Sequence, residues 1–122
     1  MKILIVDDSK AMRTFLTALV QDMKLETAQA EDGCNALEVL KGDPVFQLAL
    51  VDWDMPNMNG LEFVKAVRAN TRYNQLKLMM VTTQNSIDRV VAALDAGATD
   101  YLMKPVSRQS LEEKLRLLRV IV

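Results

Sequence analysis

Leu48-Ala49-Leu50-Val51-Asp52-Trp53-Asp54-Met55-Pro56 passes from four apolar residues straight into a pair of carboxylates. The apolar part does not alternate with polar residues. A strand with one wet face alternates, whereas a strand covered on both faces does not, so residues 48–51 read as a strand inside a parallel sheet. Similar short apolar runs, rich in β-branched residues, occur at Ile3–Val6, Lys77–Val81 and Tyr101–Met103, with a weaker one near Thr27–Ala30.

Stretches with helical spacing lie between and after these runs. Met12, Phe15, Leu16, Leu19, Val20 and Met23 form one apolar stripe. Ile87, Val90, Val91 and Leu94 form a second, and Leu111, Leu115, Leu118 and Val122 a third. Leu37 with Leu40, and Leu61 with Val64 and Val67, mark two shorter helices. Ser9, Asn59 or Gly60, Asn85 and Ser107 suit helix starts, and Gly97 suits a helix stop. Asp43-Pro44 and Asn70–Asn74 read as turns. The order is βαβαβαβαβα, an α/β chain whose right-handed crossovers put helices on both faces of a doubly wound parallel sheet. Residues 1–122 read as one domain, without repeat, low-complexity segment or linker.

Composition narrows the function classes. Half the residues are apolar and a quarter charged, as in an ordinary globular domain. Fifteen basic and 16 acidic residues leave a net charge of −1, with no basic surplus for gripping nucleic acid. The single cysteine, Cys34, has no disulfide partner in the chain, which fits a reducing compartment. No apolar run is long enough to span a bilayer and no signal-peptide pattern opens the sequence, so the expected location is the cytoplasm. The chain has no histidine, which excludes His-based metal sites, Ser-His or Cys-His catalysis and a phosphohistidine carrier.

Ligands in an open parallel sheet bind at the carboxyl ends of the strands. Asp7 and Asp8 follow the first run, and Asp52, Trp53 and Asp54 follow the third. Thr82 and Thr83 follow the fourth, and Lys104-Pro105 the fifth. Taken singly, each has an ordinary reading. Asp7-Asp8 suits a helix N-terminal charge pair, Asp52 a strand-end cap, Thr82 the end of a strand and Lys104 a solvated surface. Their joint placement at one sheet edge is the unusual feature. Close carboxylates repel by roughly 4 kcal/mol per pair at intermediate dielectric, so the cluster must hold protons or a cation. Mg²⁺ suits it, as a hard ion that takes oxygen ligands and keeps waters, with Mn²⁺ as a substitute. An open metal position and Lys104 would both stabilise a transferring phosphoryl group, and Asp52 can act as the carboxylate nucleophile.

The chain resembles the receiver domain of two-component response regulators over essentially its whole length. The matching pieces are Ile3-Leu4-Ile5-Val6-Asp7-Asp8, Asp52 with Met55-Pro56 and Gly60, Val81-Thr82, Ala96-Gly97-Ala98 and Lys104-Pro105. The resemblance implies a flavodoxin-like (βα)5 sheet of strand order 2-1-3-4-5. It implies that Asp52 accepts a phosphoryl group from a histidine kinase or phosphotransfer protein. Asp8 and Asp52 would be carboxylate ligands of Mg²⁺, with Asp7 acting through water and Asp54 through its main-chain carbonyl. Thr82 and Lys104 would bind the phosphoryl oxygens, and the Lys104–Pro105 bond would be cis. Tyr101 would be the aromatic switch, whose other reading is a half-buried strand residue. The output protein would dock on the surface formed by Tyr101, the Ile87–Leu94 helix and the last helix.

Within the family the chain looks nearest to single-domain, chemotaxis-type (CheY-like) regulators. Ser9–Arg13, Ser110–Leu115 and Trp53 carry that likeness. Such a protein is not an enzyme beyond its own metal-dependent phosphorylation and dephosphorylation. It is expected as a monomer, with dimerisation on phosphorylation left open. Asp54, Thr83 and Gln84 occupy positions that tune phosphoryl lifetime in the family. Asp54 is acidic where chemotaxis relatives often carry an amide, and Thr83 is bulkier than the usual Ala or Gly.

Three other readings compete with this one. Asp52-Trp53-Asp54 has the Asp-x-Asp form of haloacid-dehalogenase-type phosphatases, but those place the nucleophile on the first strand and their acidic pair late. The chain also reads as the receiver part of a longer transcription regulator. A pseudo-receiver that only binds a partner is disfavoured by the intact Asp8, Asp52, Thr82 and Lys104.

Overall fold

A computed structural model describes residues 2–42, 45–83 and 87–121. Five strands and five helices alternate: β1 (Lys2–Val6), α1 (Lys10–Asp22), β2 (Glu26–Ala30), α2 (Gly33–Gly42), β3 (Leu48–Asp52), α3 (Gly60–Arg68), β4 (Lys77–Thr83), α4 (Ile87–Ala96), β5 (Asp100–Lys104) and α5 (Arg108–Leu117). A single 3₁₀ turn, Thr71–Tyr73, occupies the expected Asn70–Asn74 turn and is capped by the Asn70 side chain. The sheet is parallel, in the order β2-β1-β3-β4-β5.

The absence of alternation in the strands has a direct cause. Ile3, Ile5, Leu48, Leu50, Met79 and Val81 point to one face, into a core with Leu16 and Val20 of α1 and Leu111 and Leu115 of α5. Leu4, Val6, Ala49, Val51, Leu78 and Met80 point to the other, against Ala36 and Leu40 of α2 and Phe63, Val64 and Val67 of α3. Side chains leave a strand on alternate faces, so a sheet covered twice needs apolar residues at every position. All five residues of β3 are buried.

The helix starts follow from local chemistry. Ser9 accepts from the Met12 N–H. Asn59 and Glu62 form a reciprocal capping box at α3, and Ser107 with Ser110 does the same at α5. Gly97 follows α4 at φ 117°, a conformation that a Cβ would oppose. Asn85 and the Asp43-Pro44 turn lie outside the described residues.

Two helix readings are corrected. In α4 the fully buried residue is Ala93, while Ile87, Val91 and Leu94 are 68%, 51% and 41% exposed. The helix packs through its small residues Ala93 and Ala96, which leaves the larger apolar side chains outside. The last helix ends at Leu117, before Leu118. Arg119 then takes a φ of 59° and the Val120 N–H donates to the Leu115 carbonyl, so Val120 turns back into the core. Val122 lies outside the described residues.

Candidate functional site

Strand register brings the strand-end residues together. Val6 pairs with Val51, so Asp7 and Asp52, one residue on in each strand, are neighbours. Asp52 pairs with Val81, one residue before Thr82, and Thr83 pairs with Lys104. Asp7, Asp52 and Thr82 are buried, and Asp8 is exposed at the mouth. One carboxylate oxygen from each of Asp7, Asp8 and Asp52 lies within 4.8 Å of the other two.

Opposing forces act on these carboxylates. Lys104 Nζ donates to Asp52 Oδ1 at 3.2 Å. Burial raises the Asp52 carboxyl above its ordinary value, the charge of Asp7 raises it further, and Lys104 pulls it back. Burial also raises Asp7, opposed by the Ser9 N–H, which donates to Asp7 Oδ1 at 2.9 Å. Asp7 Oδ2 is buried and has no hydrogen-bond partner among the described residues. An oxygen-only donor set, crowded negative charge and an orphaned buried carboxylate oxygen together fit a hard divalent cation.

The loop after β3 is tightly held. Gly60 N donates to the Trp53 carbonyl at 2.9 Å. A Cβ at Gly60 would stand 2.5 Å from the Asp52 carbonyl oxygen, so only glycine lets α3 start this close to β3. Gly33 N donates to the Met58 carbonyl at 3.2 Å. Asn57, at φ 65°, donates from Nδ2 to Asp32 Oδ2 at 2.8 Å. These contacts tie the β2–α2 loop to the loop that carries Trp53 and Asp54.

The remaining expected residues are spread outward. Thr83 is exposed, and Gln84 lies outside the described residues. The Asp54 side chain turns to the surface, where Arg89 Nη1 of α4 donates to both carboxylate oxygens at 2.9 Å. The Lys104–Pro105 peptide bond is cis. Tyr101 is half-buried on β5, away from the carboxylate cluster in the sequence but on the adjoining edge strand. The Lys114 ammonium sits 4.6 Å from its ring centroid and pairs with Asp100 at 3.1 Å. Sequence reasoning missed Arg89 and the Asp32–Asn57 tie. Both depend on contacts between distant segments, and neither residue pair carries a local spacing signal.

Known proteins share this sequence pattern and fold. The profile of the response regulator receiver domain matches residues 3–116. The chain belongs to that family, the phosphorylation-activated signalling switches of two-component systems. It is 44% identical over 119 residues to a chemotaxis protein CheY homolog of Campylobacter jejuni, covering 94% of this chain and 89% of that one. It is 39% identical over 118 residues to chemotaxis protein CheY1 of Helicobacter pylori, covering 96% and 95%. The structure of Vibrio cholerae chemotaxis protein CheY4 superposes with a TM-score of 0.89 at 35% identity, covering 96% and 97%. Membership of this class implies a kinase as donor and an output partner in general. No helix among the described residues is long and apolar enough to cross a membrane.

Proposed function

We propose that residues 1–122 act as one receiver domain that takes a phosphoryl group onto Asp52 in an Mg²⁺-dependent reaction, with Mn²⁺ as a substitute. The observation that carries this reading is the convergence of Asp7, Asp8 and Asp52 within 4.8 Å, with Lys104 on Asp52 at 3.2 Å. Asp8 and Asp52 would hold the metal directly, Asp7 through water and Asp54 through its main-chain carbonyl. When bound, the metal neutralises charge on the acceptor and on the transferring group.

The chain's own residues then have distinct tasks. An Asp52 oxygen forms a bond to phosphorus as the phosphorus–nitrogen bond of a donor phosphohistidine breaks. The imidazole leaves with the electron pair and takes a proton. Lys104, already at Asp52, moves its contact to the phosphoryl oxygens. Thr82, buried at the same edge, supplies a hydroxyl to them. A shift of Thr82 leaves room for the half-buried Tyr101 ring to turn inward, which reshapes the surface of Tyr101, α4 and α5 for an output protein. Asp54, two residues after Asp52, and Thr83 and Gln84, one and two residues after Thr82, are the positions that tune the lifetime of the acyl phosphate in this reading.

The chain is not an enzyme in this reading, because the phosphoryl group ends on the protein itself. It works as a cytoplasmic monomer in a chemotaxis-type pathway, without nucleic acid or membrane insertion. Intact-mass measurement tests the core of it. One phosphoryl group should be added by a small donor with Mg²⁺ and none in Asp52→Asn. Modification that persists in that variant identifies another acceptor.

A further inference from the structure

Arg89, on α4, contacts both side chains that directly follow Asp52. Its Nη1 lies 2.9 Å from both oxygens of Asp54. Its guanidinium lies over Trp53, 5.1 Å from the ring centroid. Trp53 and Asp54 are the two residues that follow Asp52, and two residues span at most about 7 Å of chain. That backbone span is comparable to the screening length of roughly 8 Å at physiological salt, so a charge on Asp54 adds to the field an anionic donor meets as it approaches.

The local charge explains why this matters. Asp7, Asp8 and Asp52 already crowd the mouth, and Asp54 adds a further carboxylate on the solvent side. Every phosphodonor is itself an anion. An unopposed Asp54 would repel it on approach, and it would repel a dianion more than a monoanion. Arg89 opposes that charge, and the Trp53 ring holds the guanidinium over the acceptor loop.

We infer that Arg89 is a specificity-determining residue for phosphoryl uptake: it masks the Asp54 carboxylate at the mouth of the site and so admits highly charged donors. This rests on the acceptor reading above and adds to it a residue on α4 that discriminates donors by charge.

The test compares acetyl phosphate, a dianion at neutral pH, with phosphoramidate, a monoanion, as donors to Asp52 in the presence of Mg²⁺. The ratio of the two phosphorylation rates is the readout. Arg89→Ala should lower the acetyl phosphate rate relative to phosphoramidate by about threefold at low ionic strength, and the deficit should shrink as salt rises. Arg89→Lys, which keeps the charge, should restore most of the ratio. Arg89→Ala combined with Asp54→Asn removes both charges and should return the ratio to the wild-type value. A purely structural role for Arg89 would move both donors together, and the double variant would not restore the balance. An unchanged ratio in Arg89→Ala, or a changed ratio that Asp54→Asn fails to correct, overturns the inference while leaving the acceptor reading intact. Wild-type protein that takes up phosphate from neither donor overturns both.

Discussion

Lys104 reaches across β4 to place its ammonium 3.2 Å from the Asp52 carboxylate, joining residues that stand 52 apart in the chain. The pair is mostly buried, with side-chain exposures of 29% and 10%. Removing one partner of such a pair leaves the other charge uncompensated. Lys104→Met should therefore destabilise the metal-free protein by about 1–3 kcal/mol. Adding Asp52→Asn to the same chain should recover most of that loss. Urea unfolding of the four proteins in chelator measures the coupling, and simple additivity would mean that the contact contributes nothing.

Asp52 also defines a pH dependence. Its carboxyl is raised in the folded protein, first by burial and then by Asp7. The fold therefore holds the Asp52 proton to higher pH than the unfolded chain does. Stability from this group is fully present below the ordinary carboxylate value and is lost as pH rises through the raised folded value. Metal-free Asp52→Asn should lose less stability than wild type over that range and should melt a few degrees higher at neutral pH. Thermal melts in chelator between acid and neutral pH check it. Equal pH profiles for the two proteins would contradict the assigned strain.

Asp8 separates metal binding from folding. It is exposed but repels Asp7 and Asp52, so Asp8→Asn should leave the metal-free protein folded and stabilise it by no more than about 1 kcal/mol. The same change should remove the response of Trp53 fluorescence to Mg²⁺, because a carboxylate proposed to bind the metal directly is lost. A full Mg²⁺ titration in the variant, with unchanged affinity, would exclude Asp8 as a ligand.

Gly60 is a steric test of the loop after β3. An added Cβ would meet the Asp52 carbonyl oxygen at 2.5 Å and the Trp53 Cα at 3.0 Å, and backbone cannot step aside as a side chain can. Gly60→Ala should destabilise by about 1–3 kcal/mol and should shift Trp53 emission in the native state. Gly42→Ala is the control, since its Cβ would meet nothing within 4 Å. Equal stabilities of the two variants would show that α3 can back away from β3.

Much of this architecture is legible in the sequence because its causes are local. The unbroken apolar runs at Ile3–Val6 and Leu48–Val51 announce a sheet covered on both sides. The cap residues Ser9, Asn59 and Ser107 mark their helices by spacing alone. The acidic and basic strand ends are legible for the same reason, since strand direction fixes the edge they share. What stayed hidden depends on the meeting of separate segments. An apolar stripe at helical spacing in α4 gives no sign that Ala93, a small residue outside that stripe, is the one that goes inside. Arg89 reads as one more surface arginine until α4 is laid beside the β3–α3 loop. The turn of Val120 back into the core depends on a positive φ at Arg119, which that residue type does not advertise.

The light anchoring of α4 has a consequence for how such a chain can diversify. The strand-end residues are held between two apolar layers, where a lost methylene is felt throughout the sheet. Ile87, Val91 and Leu94 stand outside those layers, and exchanges at exposed positions of this kind typically change stability by no more than about 0.5 kcal/mol. With the proposed docking surface on that face, duplicated copies of the protein could acquire different listeners by rewriting one side of one helix, while the strand ends that receive the message stay the same.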